Sequence, residues 1–345
     1  MTISQMNNLN YCNFAKTVLM LFVVLCHSAA FYAGNWFTVC PASATNTLLG
    51  TLATWLGTFH VQGFTLISGY IYYYIKNEKK GYQDFSKYIT NKFKRLLIPY
   101  ISISLFWVIP FGILFYSYGS VDILIKYVLG ESPSQLWFLL MLFNVFVIYD
   151  LTVEKLGGVY QILFIALLFV GGISLGKVFS NVFQILTSMR FILFFYVGCL
   201  MRKKYSSVQP DSMLRYGIIF LLLNISSFAL LNLDISDNSV VAKGISLIAK
   251  NICDVCGAMM AFLLLSYIAS KCRWETSFFR TLSIVSFPIY LFHQQIIYVL
   301  LWNFQSLLNP YLMCAINLIG SLLVSYSISM ILIKHSVTKK IIGIK

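Results

Sequence analysis

A few residues in this sequence could do chemistry in places where polar groups are costly. His27 and His293 lie inside long apolar runs, and so does His60, with Gln62 and Ser68 just beyond it. A histidine whose ordinary pKa is near neutrality can move a proton or act as a nucleophile. Lys16 stands eleven residues before His27 in the same run. At about 100° per residue, that spacing returns to nearly the same helix face, and at about 1.5 Å per residue it separates the two by about 16 Å. A long, thin, acyl-carrying arm with an anionic head would fit between them. Lys92 and Arg95 close a basic stretch before the third apolar run. If a helix begins early there, the two share a face and could hold phosphate at the membrane surface. Plain structural readings stand beside these: lysines as interfacial anchors and histidines, hydroxyls and amides as helix-packing groups.

The apolar runs that must position these residues dominate the chain. Hydrophobic residues make up 59% of its 345 positions and charged residues 10%, and mean hydropathy is +0.79. A soluble domain carries about 25% charged residues, so a wettable surface is excluded. Many runs reach the roughly 20 residues that a transmembrane helix needs. No secretory signal pattern precedes the first run, which is expected to be a retained span. The net charge of +14 sits mostly between runs, which points to membrane topology and anionic lipid and not to nucleic acid. The eight cysteines form no disulfide framework. Cys253 and Cys256 have the spacing of a redox or zinc pair, but no second pair or histidine cluster accompanies them, so they read as packing residues and no metal is expected.

Ten spans are predicted, at about 14–33, 48–75, 97–118, 135–152, 157–176, 185–201, 214–233, 245–269, 281–303 and 311–334. The fold class is therefore an all-α integral membrane bundle occupying residues 1–345 as one domain. Lys and Arg alternate between loops, with nineteen in the even-numbered loops and tail, Lys345 included, against four (Lys126, Lys177, Arg190 and Lys243) in the odd-numbered loops. The basic side is cytoplasmic, and ten spans put both termini there.

A charge at the bilayer centre costs at least about 2.5–3.5 kcal/mol, so the polar residues within spans call for explanation. Counted from the cytoplasmic end, His293 lies about 18 Å deep, at roughly the depth of His27. His60 is somewhat farther from the cytoplasm. Lys250 and Asp254 are four apart and can pair on one helix face, or mark a proton path in a transporter or flippase for a polysaccharide intermediate. His335 belongs to the basic tail.

Several segments share a pattern. Lys16-x10-His27 resembles the basic-x10-His signature of the membrane acyltransferase-3 family. The run Phe59-His60-Val61-Gln62-Gly63-Phe64-Thr65-Leu66-Ile67-Ser68-Gly69-Tyr70 resembles that family's span-two motif, and Lys92-x-x-Arg95-Leu96-Leu97-Ile98-Pro99-Tyr100 its motif before span three. Leu136-Trp137-Phe138-Leu139 and Ile289-Tyr290-Leu291-Phe292-His293 are similar to later landmarks. All five occur in family order along nearly the whole chain.

The resemblance implies an O-acyltransferase of a bacterial cytoplasmic (inner) membrane. Such an enzyme takes acetyl or another short acyl group from coenzyme A as donor substrate and modifies sugars of a surface polysaccharide or a lipid-linked precursor. On this reading acetyl-CoA enters from the cytoplasm, with its phosphates near Lys16, Lys92 and Arg95. His27 is a general base or is itself transiently acylated. His60, Gln62, Ser68 or His293 positions the acceptor or stabilises the oxyanion. Lysine stands at 16 and 92 where arginine is common, which keeps the charge but loses the two-pronged grip on phosphate. Asn13 stands where an acidic residue is frequent. Without the fused esterase-like domain of some relatives, the chain would act alone or with a separate partner.

Overall fold

Long apolar runs with few breakers satisfy their backbone groups internally, as the hydrocarbon layer requires, by forming helices. The computed structural model describes residues 10–34, 36–40, 45–204, 210–233 and 240–344; Lys345 and parts of the first, sixth and seventh loops lie outside the described residues. Among the described residues, nine helices are long and apolar enough to cross a membrane. Three of them are α1 (Asn10–Ala30), α4 (Phe85–Tyr116) and α5 (Trp137–Leu151). The others are α6 (Gly158–Leu175), α7 (Ile185–Lys204), α8 (Pro210–Leu231), α9 (Val240–Lys271), α10 (Ser277–Phe304) and α11 (Pro310–Leu332). A short α12 (Ser336–Ile341) follows.

The predicted second span, 48–75, is not one helix. It is broken into α2 (Thr47–Gly57) and α3 (His60–Tyr73). The partners that stabilise the break lie in other helices. Fully buried Asn224 on α8 accepts from Trp55 Nε1 (2.8 Å), and its amide donates to Thr58 Oγ1 (3.2 Å) and to the Cys253 carbonyl (2.8 Å). Gly257 on α9 lets Phe59 and Thr58 come close: a Cβ there would lie 2.9 Å from Phe59 Cβ. The Cys253–Cys256 segment therefore serves this packing.

The predicted third span, 97–118, also differs. Helix begins at Phe85, inside the basic stretch, and contains two π-helical turns, Phe93–Leu97 and Ser104–Val108. Each immediately precedes an Ile-Pro pair, Ile98-Pro99 and Ile109-Pro110. Proline lacks an N–H and crowds the preceding turn, and a wider turn with i→i+5 bonding accommodates it.

Contacts between loops sort the chain ends. Arg202 pairs with Glu78, Lys76 with Asp150, Lys271 with Asp211, and Asn10 with Glu275. The N-terminal end and the even-numbered loops therefore meet at one end of the bundle. Gln184 Nε2 donates to the carbonyls of Gly130 (2.8 Å) and Glu131 (2.7 Å), which joins the third and fifth loops at the other end.

Helix α1 touches α2, α3, α9, α10 and α11 and so sits centrally. Only 11% of the apolar stretch of α6, and likewise of α8, is buried in the protein, against 67% for α9 and α10. The former pair faces lipid, and the latter pair packs against α1. Helices α3 and α7 approach most closely at Gly69 and Gly198, where a Cβ would fall 1.9 Å from the carbonyl oxygen of Phe195 or Leu66.

Candidate active site

His27 sits three residues from the end of central helix α1, and His293 sits midway along α10. Their facing helices pack side by side. His27 Nδ1 and His293 Nε2 are 2.7 Å apart, and the rings are stacked with 5.0 Å between centroids and 10° between planes. His293 is fully buried. Its other nitrogen, Nδ1, lies 2.8 Å from the Tyr290 carbonyl oxygen.

These contacts fix the protons of the neutral pair. A carbonyl can only accept, so His293 Nδ1 carries a hydrogen and donates it to Tyr290. His293 Nε2 is then the acceptor, and His27 Nδ1–H is the donor. The lone pair of His27 is left on Nε2. A base held in one tautomer by an orienting partner is the arrangement that proton abstraction needs.

Residues on α5 and α10 hold the orienting histidine. Gln135, just before α5, donates from Nε2 to the Leu291 carbonyl (2.8 Å) and to Gln295 Oε1 (2.7 Å), and Tyr290 OH donates to the Gln135 carbonyl. These bonds clamp the backbone on either side of His293.

His60 opens α3 at the helix break and donates from Nδ1 to the Leu56 carbonyl at 2.6 Å. It is an electrostatic neighbour of both imidazoles of the pair. Gln62 is buried, its Nε2 reaches the Gly57 carbonyl at 3.3 Å, and its Oε1 has no partner among the described residues. Ser68 donates back to the Phe64 carbonyl of its own helix (2.8 Å), and neighbouring Gly69 is needed for the approach of α7. That end of the motif is explained by packing.

The basic residues differ in their settings. Arg95 lies on the first π turn and is exposed, and it is an electrostatic neighbour of Lys16. Neither Lys16 nor Arg95 forms an ion pair with any described residue. Two like charges within electrostatic reach of each other, neither paired with a described carboxylate, can hold an anion. Lys92 instead directs its ammonium over the Phe146 ring (3.5 Å from the centroid), with Tyr82 and Tyr88 at 5.0 and 5.4 Å. Helix does begin early, at Phe85, and Tyr82 is a neighbour of both Lys92 and Arg95, while the π turn that starts at Phe93 widens the spacing between them. Lys250 and Asp254 pair at 3.5 Å, and buried Asp254 also has the Gln62 side chain as a hydrogen-bonding neighbour.

Several site residues were not picked out from sequence. Trp36, in the uncharged first loop, lies with its ring 5.3 Å from that of His27 and 4.9 Å from that of Tyr298. Trp36 and Tyr298 also line a cavity of about 210 Å³ with Gln294, Gln295, Ser134 and Lys126. This cavity lies at the end of the odd-numbered loops, opposite Lys16 and Arg95. Its sequence signals were the Gln294-Gln295 pair beside His293 and the aromatic residues of two loops. Among the described residues no group of three or more His, Cys, Asp and Glu could hold a metal ion.

A family model described as an acyltransferase domain matches residues 9–333. No curated protein and no solved structure matches the chain.

Proposed function

The chain belongs to the acyltransferase-3 family, and from that membership we propose that it moves acetyl, or another short acyl group, from coenzyme A to a sugar hydroxyl. The acceptor belongs to a surface polysaccharide or its lipid-linked precursor, and the membrane is a bacterial inner membrane. The multi-pass helical bundle and its family make the chain a membrane acyltransferase. The observation that carries the finer reading is the His27–His293 hydrogen bond, with the Nε2 lone pair of His27 left available.

Residues 1–345 act as one domain with both termini cytoplasmic. Acyl-CoA approaches from the basic side, and the unpaired charges of Lys16 and Arg95 receive its phosphates. Lys92 contributes field from its aromatic setting. The pantetheine arm follows α1 over the about 16 Å between Lys16 and His27. The acceptor enters through the opposite cavity, whose amides and hydroxyls suit sugar hydroxyls and whose aromatic faces suit the ring's C–H surfaces.

His27 Nε2 takes the proton of the acceptor hydroxyl as its oxygen attacks the thioester carbonyl. His293 Nε2 accepts from the imidazolium that forms and so stabilises it. The C–S bond breaks, and the sulfur leaves with the proton from His27. The balance is one ester and one thiol formed from one thioester and one hydroxyl. His60 and Gln62, whose Oε1 is unpaired, position the acceptor.

The test is mass spectrometry of surface glycans from cells with and without this protein. The account expects an acyl mass increment on a sugar to disappear while the polymer persists. Retention of the increment with loss of the whole polymer would instead support transport.

A further inference from the structure

The cavity beside Trp36 has one basic side chain among the described residues of its lining, Lys126. Lys126 is half-buried in a π turn, Leu124–Val128, of the third loop. Its ammonium lies 5.2 Å from the centroid of the Tyr118 ring, which also lines the cavity. It forms no ion pair with any described residue, although the same loop holds Asp122 and Glu131. The Asp122 carboxylate instead accepts from Gly119 N at 3.0 Å. The ammonium is held over an aromatic face of the cavity without an ion pair, with Asp122 also within electrostatic reach of that ring.

The rest of the wall is neutral. Gln294 and Gln295 are buried, and Ser132 and Ser134 add hydroxyls. The volume of about 210 Å³ is below the roughly 300–1,000 Å³ of pockets for drug-sized ligands, so it suits one sugar unit at a time.

We infer that Lys126 makes this an acceptor site for an anionic sugar, selecting a hydroxyl on a residue that carries a carboxylate or phosphate. This inference rests on the acyl-transfer reading above. Lysine is a compact point charge without the fork that would distinguish planar carboxylate from phosphate, so the selection is for charge. The ammonium would hold the anion, while Trp36, which faces both the cavity and His27, would orient the sugar toward the base.

The experiment uses purified full-length protein with acetyl-CoA and three probes: methyl glucoside, methyl glucuronide and glucose 6-phosphate. Transfer is read as kcat/KM. Binding is read independently by tryptophan fluorescence without acetyl-CoA. Wild type should favour the two anions over the glucoside on the order of tenfold, as expected for a hydrogen bond to a charged group. K126Q should abolish that ratio, K126R should keep it and K126E should invert it. The relative response to glucuronide and phosphate tells which anion fits. An unchanged ratio in K126Q, or a wild type indifferent to charge, overturns the inference. Charge-selective binding that depends on Lys126 without any transfer would uphold the site while refuting the acyl-transfer reading. Absence of binding to all three probes refutes the site itself.

Discussion

Replacing His293 by alanine isolates what the imidazole pair contributes. The substitution removes the acceptor of His27 Nδ1–H, which now lies 2.7 Å away. It also ends the restraint that passes from the Tyr290 carbonyl through His293 to His27. One neutral hydrogen bond contributes about 0.5–1.5 kcal/mol, and a buried donor left without a partner costs about 1–3 kcal/mol more. A sum of about 1.5–4.5 kcal/mol corresponds to a fall in kcat of roughly 10- to 2,000-fold, which overlaps the roughly 100- to 10,000-fold of general-base contributions. H293Q places an amide oxygen near the position of Nε2, so it should recover to within about tenfold of wild type. The assay is acetyl transfer at saturating acceptor with varied acetyl-CoA. The KM for acetyl-CoA should hold in both variants, because Lys16 and Arg95 are at the other end of the site. In a background lacking His27, H293A should cost nothing further, since residues that act as a unit are not additive. Near-normal kcat in H293A, or full multiplicative losses in the double variant, would refute the orienting role.

Changes at the anion site should appear in KM. K16A and R95A should each raise the KM for acetyl-CoA with kcat within a fewfold, and 3′-dephospho-acetyl-CoA should respond less; an effect on kcat alone would argue against phosphate binding. At the α3–α7 contact, G69V should prevent close packing, because a Cβ there meets the Phe195 carbonyl at 1.9 Å. Overpacking costs of about 1–3 kcal/mol or more should appear as a lower thermal midpoint in detergent, and an unchanged midpoint would contradict the packing account. N224A should likewise destabilise the helix break, by about 1–3 kcal/mol for each buried partner left unmet. The same thermal scan checks it, and C253A should be milder than N224A.

Much of the bundle could be read from residues one helix at a time. Span positions follow from local hydropathy, and the alternation of Lys and Arg orders the loops that the structure joins at one end. The common depth of His27 and His293 follows from helical rise, because both helices run uninterrupted between the cytoplasmic end and the site. What could not be read depends on other helices. The break after Gly57 is held by Asn224 and Gly257, residues far along the chain that carry no local signal for it. The aromatic setting of Lys92 depends on Phe146 in another helix, and the π turn before Pro99 widens the spacing of Lys92 and Arg95 from its α-helical value. The tautomer of His27 rests on the Tyr290 carbonyl, a backbone atom with no sequence signature. The cavity is assembled from the first loop, α4, the third loop and α10, so Lys126 appeared only as a stray charge on the less basic side.

The most direct test compares purified wild type and H27A, both inserted and with matching thermal midpoints, for transfer of labelled acetyl from acetyl-CoA to a sugar acceptor. The account predicts robust transfer by wild type and none above background by H27A, with acetyl-CoA binding retained in both. Transfer by H27A at a rate near wild type would contradict the central claim that the Nε2 lone pair of His27 performs the chemistry.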